Sequence, residues 1–339
     1  MSTSLIVIEG GDLLAALGPD FAVAFDLAKA EKAPATRKAY ATDFRLFKVY
    51  CDARGVSALP AAPETVASYI AAEAQTAKPS TIGRRVAAIR YAHKLAGLDT
   101  PTDAEGVRAT MRGICRTFGS AKDKKAPAVA AKMLSMVATA PDRLSGLRDS
   151  ALLLLGFAGA FRRSELVALD VADIEETQTG LLVTIRRGKT DQEALGRTIA
   201  ITRGDVACPV KALREWLDAA GIVSGSLFRP INKSGTVAAS RLTCRSVANI
   251  VKEYAGRAGF DAAIFSAHSL RSGFLTSAAA KGASIFKMMD QSGHKSIDTL
   301  RGYVRDAELS RITREPDCFK HQRPRRGHQA RRASNQVNP

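Results

Sequence analysis

The chain has 339 residues, 46% of them hydrophobic, with a mean hydropathy of −0.07, a length and composition suited to two domains of a water-soluble globular protein. Leu5–Ile8 is too short for a signal-peptide core, Ala151–Phe161 is too short to span a membrane, and the five cysteines (51, 115, 208, 244, 318) include no Cys-x-x-Cys pair, which argues against zinc and for free thiols in a reducing cytoplasm. The formal net charge is +17, of which the tail from Thr313 carries five, so the body is basic in its own right and suits a polyanion, nucleic acid first.

Residues 20–118 read as amphipathic helices with no strand signal. Tyr40, Phe44, Phe47 and Cys51 form one apolar stripe behind Pro34, and Pro63-Glu64 opens a second helix. After Pro79-Ser80, the positions Ile82, Val86, Ile89 and His93 make another stripe, with Arg84, Arg85, Arg90 and Lys94 read as solvated. Residues 119–127, Gly-Ser-Ala-Lys-Asp-Lys-Lys-Ala-Pro, read as an exposed basic linker.

From 128 the pattern becomes mixed. Helices are expected over 129–140, 147–156 and 162–169, then short strands near 171–175, 181–186 and 197–202. Helical patterns return over 209–220, 240–258, 268–281, 285–290 and 296–312. The fold class is therefore mostly α in two domains: an N-terminal helical bundle, and a mainly helical α/β domain over 128–312 with one small antiparallel sheet. The stretch 313–339 has no apolar face and reads as a disordered basic tail.

Residues 186–192, RRGKTDQ, contain the Gly-Lys-Thr that ends a phosphate-binding P-loop. Such a loop needs a glycine five positions before Gly188, where Val183 stands inside an apolar strand, and a helix directly after it. Here a second alternating strand follows, so Lys189 sits at a hairpin turn and no nucleotide cofactor is implied. Other segments stand out: Phe161-Arg162-Arg163-Ser164-Glu165, with Arg162 and Glu165 one turn apart; His268-Ser269-Leu270-Arg271, with His and Arg on one helical face; and Gly293-His294, nine residues before Tyr303. Each is weak alone, because ion pairs and packed tyrosines are common.

Taken in order, Arg162, Lys189, His268-x-x-Arg271, Gly293-His294 and Tyr303 resemble the tyrosine recombinase (phage-type integrase) family over roughly residues 20–312. Ala160 departs from the pattern, standing where the family often has Gly. The resemblance implies a core-DNA-binding helical domain of SAM-like type over 20–118, ahead of a catalytic domain over 128–312. It also implies strand cleavage through a phosphotyrosyl bond and rejoining between paired sites. The expected partners are double-stranded DNA and further copies of the chain, as a tetramer on two sites, in the cytoplasm with the nucleoid.

The residue chemistry suits that reading. Arg162, Arg271 and His294 suit the non-bridging oxygens of a phosphodiester, and Tyr303 suits the nucleophile. His268 suits the tyrosine proton, Lys189 the leaving 5′ oxygen, and Glu165 the orientation of the cluster. Two arginines can do what metal ions do elsewhere, and the covalent bond stores the energy of the broken one, so neither metal nor ATP is expected. The same constellation would also serve type IB topoisomerase-like strand relaxation. A catalytically silent DNA-binding architectural protein is the other alternative.

Overall fold

The computed structural model describes residues 31–119, 125–186, 188 and 196–312, with side chains through 305, together with positions 23 and 26–28. The chain divides into two compact units, Met1–Asp123 and Lys124–Pro339.

The first unit is built from α1 (Pro34–Asp52), α2 (Pro63–Glu73), α3 (Pro79–Leu95) and α4 (Glu105–Phe118). Proline opens three of them, where its missing N–H and fixed φ cost nothing. Phe47 and Cys51 of the expected stripe are fully buried with Tyr69, Ile70, Ile82 and Ile89. Each such apolar side chain contributes about 1.5–3 kcal/mol to folding. His93 is a core histidine: Nε2 accepts from Ala61 N at 3.0 Å, so Nδ1 donates to Ile89 O at 2.9 Å. Of the residues read as solvated, Arg84 is exposed although it carries a partner, Arg90 donates to Thr102 and Asp103, and Arg85 is largely withdrawn from solvent. Arg84 binds the buried Asp43 through Nε at 2.7 Å and Nη2 at 3.1 Å, and Arg85 pairs with Glu73 with its side chain only 14% exposed. A buried carboxylate needs a cation, and the forked guanidinium reaches it while its stem covers apolar surface.

The second unit opens with α5 (Ala130–Ala138), α6 (Leu144–Ala158) and the short α7 (Arg163–Ala168). Residues 151–155 of α6 are buried on every side, hence the unbroken apolar run. The sheet follows: β1 (Ile174–Glu176), β2 (Gly180–Ile185) and β3 (Arg197–Thr202), antiparallel in that order. Leu181, Val183 and Ile185 of β2 and Ile199 and Ile201 of β3 face the core, with Val183 opposite Ile199. The first strand is shorter than expected, because Val171–Asp173 forms a 3-10 turn. The Asp173 carboxylate accepts from Asp170 N at 2.8 Å, and Arg186 bridges both aspartates.

Then come α8 (Pro209–Ala220), α9 (Cys244–Arg257), α10 (His268–Ala280), α11 (Ile285–Ser292) and α12 (Ile297–Ile312). The α9 helix starts at Cys244 because Thr243 Oγ1 accepts from Ser246 N at 3.1 Å, an N-cap. A separate apolar cluster of Leu275, Ala279, Met288 and Leu300, with Phe274, Tyr303 and Val304 against it, joins α10, α11 and α12.

Of the stretch read as a linker, residues 120–124 lie outside the described residues. Lys125 Nζ donates to Ala263 O, Ala126 N to Ile264 O and Ala128 N to Ser269 O, so the chain is already tied to the second unit there. It passes so close to α10 that a Cβ on Gly273 would lie 2.0 Å from Ala128 O. The tail 313–339 lies outside the described residues.

Candidate active site

Arg162 is the residue just before α7, and Glu165 lies one turn into it with only 2% exposure. The Glu165 carboxylate accepts from Arg162 N at 2.9 Å and from Arg162 Nη1 at 2.6 Å, which fixes backbone and guanidinium together. Arg162 Nη2 then reaches across the fold to Gly293 O at 3.2 Å.

Arg271, on the first turn of α10, is 1% exposed. Its Nη1 donates to Ala160 O at 2.8 Å and its Nη2 lies 3.0 Å from His294 Nε2. Among the described residues no carboxylate pairs with it. Burial, reinforced by the neighbouring Arg162, lowers its pKa to about 10. The positive-φ backbone at Ala160 (φ 47°) aims the carbonyl that Arg271 uses, so the position where the family pattern has Gly is part of the site.

His294 follows Gly293, which ends α11 in the left-handed conformation. Burial first, then Arg271, Arg162, His268 and Arg197, depress its pKa to about 3, so the imidazole is neutral. His268, the first residue of α10, is also held below the ordinary histidine value, by its protein surroundings and then by Arg271 and Arg162. Tyr303 on α12 is half-buried against the cluster joining α10 to α12, and its hydroxyl meets no hydrogen-bond partner among the described residues. Burial raises its pKa, and the positive charge of Arg271 opposes that rise. Lys189 lies outside the described residues, between the paired strand ends Ile185 and Arg197.

Three contributors escaped the sequence reading. Arg197, the first residue of β3, donates through Nη1 to Asp290 O at 3.2 Å and Gln291 O at 2.9 Å. Its Nη2 reaches Ser292 O and Glu165 Oε2, each at 3.4 Å. It thus neutralises the C-terminal end of α11 and shares one carboxylate with Arg162. Gln291 Nε2 ties the same turn to Ala158 O at 2.9 Å and Ala200 O at 3.1 Å. Ser292 Oγ lies 2.7 Å from His294 Nδ1. Local spacing marks neither Arg197 nor Gln291, whose partners lie 32 or more positions away, whereas Ser292 stands only two positions before His294, a spacing too common to single it out.

Arg162, Glu165, Arg271 and His294 are therefore brought into one hydrogen-bonded group. His268 and Tyr303 lie within the field of Arg271 without a direct bond to it. Arg162, Arg197, Gly293, His294 and Lys295 line a cleft of about 550 Å³ beside the hairpin. Arg162 and Arg197 share the Glu165 carboxylate, while Arg271 pairs with no carboxylate among the described residues, and an isolated buried cation is costly unless an anion compensates it. Such a group can accept a small anion that offers several acceptor oxygens.

The chain is 42% identical over 285 residues to an integrase/recombinase xerD homolog of Selenomonas ruminantium, over 82% of this chain and 83% of that protein. It is 25% identical over 292 residues to the recombinase cre of Escherichia phage P1, over 80% of this chain and 84% of that one. Its fold is like that of a lambda integrase tetramer bound to a Holliday junction, with a TM-score of 0.57 at 15% identity, over 81% of this chain and 73% of that one. Residues 129–309, which hold every candidate site residue, match the phage integrase family, and with the Selenomonas relative they show that the chain belongs to that family, the tyrosine recombinases.

Proposed function

We propose that this tyrosine recombinase cleaves and rejoins double-stranded DNA at specific sites through a covalent 3′-phosphotyrosyl intermediate, with charge compensation by arginine instead of metal and with no use of ATP. The observation that carries this reading is Arg271: a buried guanidinium with no carboxylate partner among the described residues, beside Arg162 and His294, in the field that also reaches Tyr303.

A phosphodiester set between Arg162 and Arg271 has its non-bridging oxygens held by forked donors, and His294 adds a third contact. Attack builds charge on those oxygens, where fixed donors in a water-poor site stabilise it most. The Tyr303 Oη–phosphorus bond forms as the bond to the 5′ oxygen breaks. His268 takes the tyrosine proton, and Lys189 supplies one to the departing 5′ oxygen. Glu165 holds Arg162 at its angle. The reverse attack by a 5′ hydroxyl of another strand restores the tyrosine and completes exchange. Support for assembly on DNA comes from the fold likeness to the tetrameric lambda protein, and we assign four protomers to two paired sites.

The test is a denaturing gel on a duplex that the full-length protein selects from a random pool, nicked so that a cleaved end is trapped. The wild-type protein should run as a DNA adduct, and Tyr303→Phe should lose the adduct entirely while retaining binding. An adduct that persists in Tyr303→Phe, or that maps to the core residue Tyr254, rejects the assignment; Tyr254 has no exposed surface from which to attack.

A further inference from the structure

Ser292 is the last residue of α11, fully buried, two positions before His294. A serine hydroxyl has a single proton. Ser292 Oγ donates it to Met288 O at 2.6 Å, one turn back along the helix. The same Oγ lies 2.7 Å from His294 Nδ1. With its proton already committed, the hydroxyl accepts there, so Nδ1 carries a hydrogen. The other neighbour does not make the choice, because Arg271 Nη2 is 3.1 Å from Nδ1 and 3.0 Å from Nε2. A guanidinium only donates, so it takes whichever ring nitrogen is left bare.

We propose that Ser292 is a positioning residue that keeps the His294 proton on Nδ1, leaves Nε2 as an acceptor for Arg271, and makes donation to a phosphate oxygen conditional on a second proton from solvent. The last clause rests on the reading of His294 as a phosphate contact. The groups facing the ring are Arg271 and His268 from α10, Arg162 ahead of α7 and Arg197 from β3, while Glu165 is engaged by Arg162 and Arg197. Lys295, the next residue, is exposed. This cationic surround keeps the imidazole neutral.

A phosphodiester anion between the arginines offsets part of the local positive field. Arg271 Nη2 turns to a phosphate oxygen, Nε2 takes a proton from solvent, and the resulting imidazolium donates to Ser292 through Nδ1 and to phosphate through Nε2. Binding then weakens as pH rises, because the proton required becomes scarcer. Without the Ser292 hydroxyl, a neutral imidazole is free to carry its single proton on Nε2 and donate with no uptake.

Long-range proton–nitrogen spectra of the full-length protein, labelled with ¹⁵N-histidine, read the tautomer directly, with His294 assigned by its disappearance in His294→Ala. Near neutral pH, wild type and Ser292→Thr should show Nδ1–H, and Ser292→Ala should move at least half of the population to Nε2–H. Calorimetry of duplex binding in buffers of different ionisation enthalpy should show wild type taking up more protons than His294→Ala, and Ser292→Ala less than half of that excess. An Nε2–H tautomer in wild type overturns the proposal whatever the Ser292 variants do. So does a Ser292→Ala protein that keeps Nδ1–H and full uptake. Wild-type uptake equal to that of His294→Ala overturns the phosphate contact and leaves the tautomer assignment standing, so the two readings fail separately.

Discussion

Gly293 and Arg197 compete for one space: a Cβ on Gly293 would lie 2.7 Å from Arg197 Nε and 2.8 Å from its Cζ. The guanidinium is anchored by the carbonyls of residues 290–292 and by Glu165, so it cannot simply swing away. Gly293 is also left-handed, at φ +64°, where a side chain is strained whatever the room. The glycine lets the turn close over the arginine, and the arginine holds the turn that carries His294.

Gly293→Ala should therefore cut single-turnover cleavage by about ten- to a hundredfold, since a shift of about 1 Å at a reacting group costs that much. Arg197→Ala should cause a similar loss by freeing the turn. The double variant should be little worse than either single one, because both act on the same contact. Additive losses, or full activity in Gly293→Ala, would show that the turn does not position the site.

The role proposed for Lys189 is tested by the leaving atom of the substrate. Lys189→Ala should slow cleavage by about a hundredfold or more, as expected for loss of a general acid. A bridging 5′ sulfur leaves as a thiolate with no proton, so the same variant should regain most of its rate on that substrate. Arg162→Ala and Arg271→Ala should not be rescued, because they act on the non-bridging oxygens. Equal loss on both substrates rejects the general-acid role, and rescue of His294→Ala instead moves it to the histidine.

Both parts of the chain are basic, so affinity for the selected duplex should fall steeply with salt, and fragments 1–121 and 122–339 should each bind far more weakly than the whole. A fragment that matches the intact protein rules out cooperation between them. Cleavage should persist in EDTA, and a strict magnesium requirement would remove the arginine-based mechanism.

Acid should unfold the second unit partly through His294. Its pKa of about 3 lies below the ordinary value of 6.5, and His268 is shifted in the same direction. Between those values the unfolded chain binds protons that the folded one excludes, so stability is lost as pH falls from about 6.5 towards 3. A full proton gives about 1.4 kcal/mol per pH unit, and solvent reaching the half-exposed ring makes the slope shallower. Urea unfolding of His294→Asn should show a visibly flatter decline across that window, and a slope unchanged from wild type would reject the linkage.

Local pattern alone carried much of this protein. Apolar stripes at helical spacing placed α1, α3 and the helices of the second unit, and alternation placed β2 and β3, because these periodicities are set by backbone geometry within a few residues. Arg162, Glu165, His268, Arg271, His294 and Tyr303 were legible because each stands in a short motif of reactive residue types in a particular order. The second unit decided what no window could show: that Arg271 is buried with no carboxylate partner among the described residues, that Ala160 offers it a carbonyl from 111 positions away, and that Arg197 fastens the turn holding His294. The same holds for Ser292, whose proton is assigned by a bond to the carbonyl beneath it. Residue types and their order are properties of the chain, whereas burial, field and hydrogen-bond partners exist only once distant segments meet.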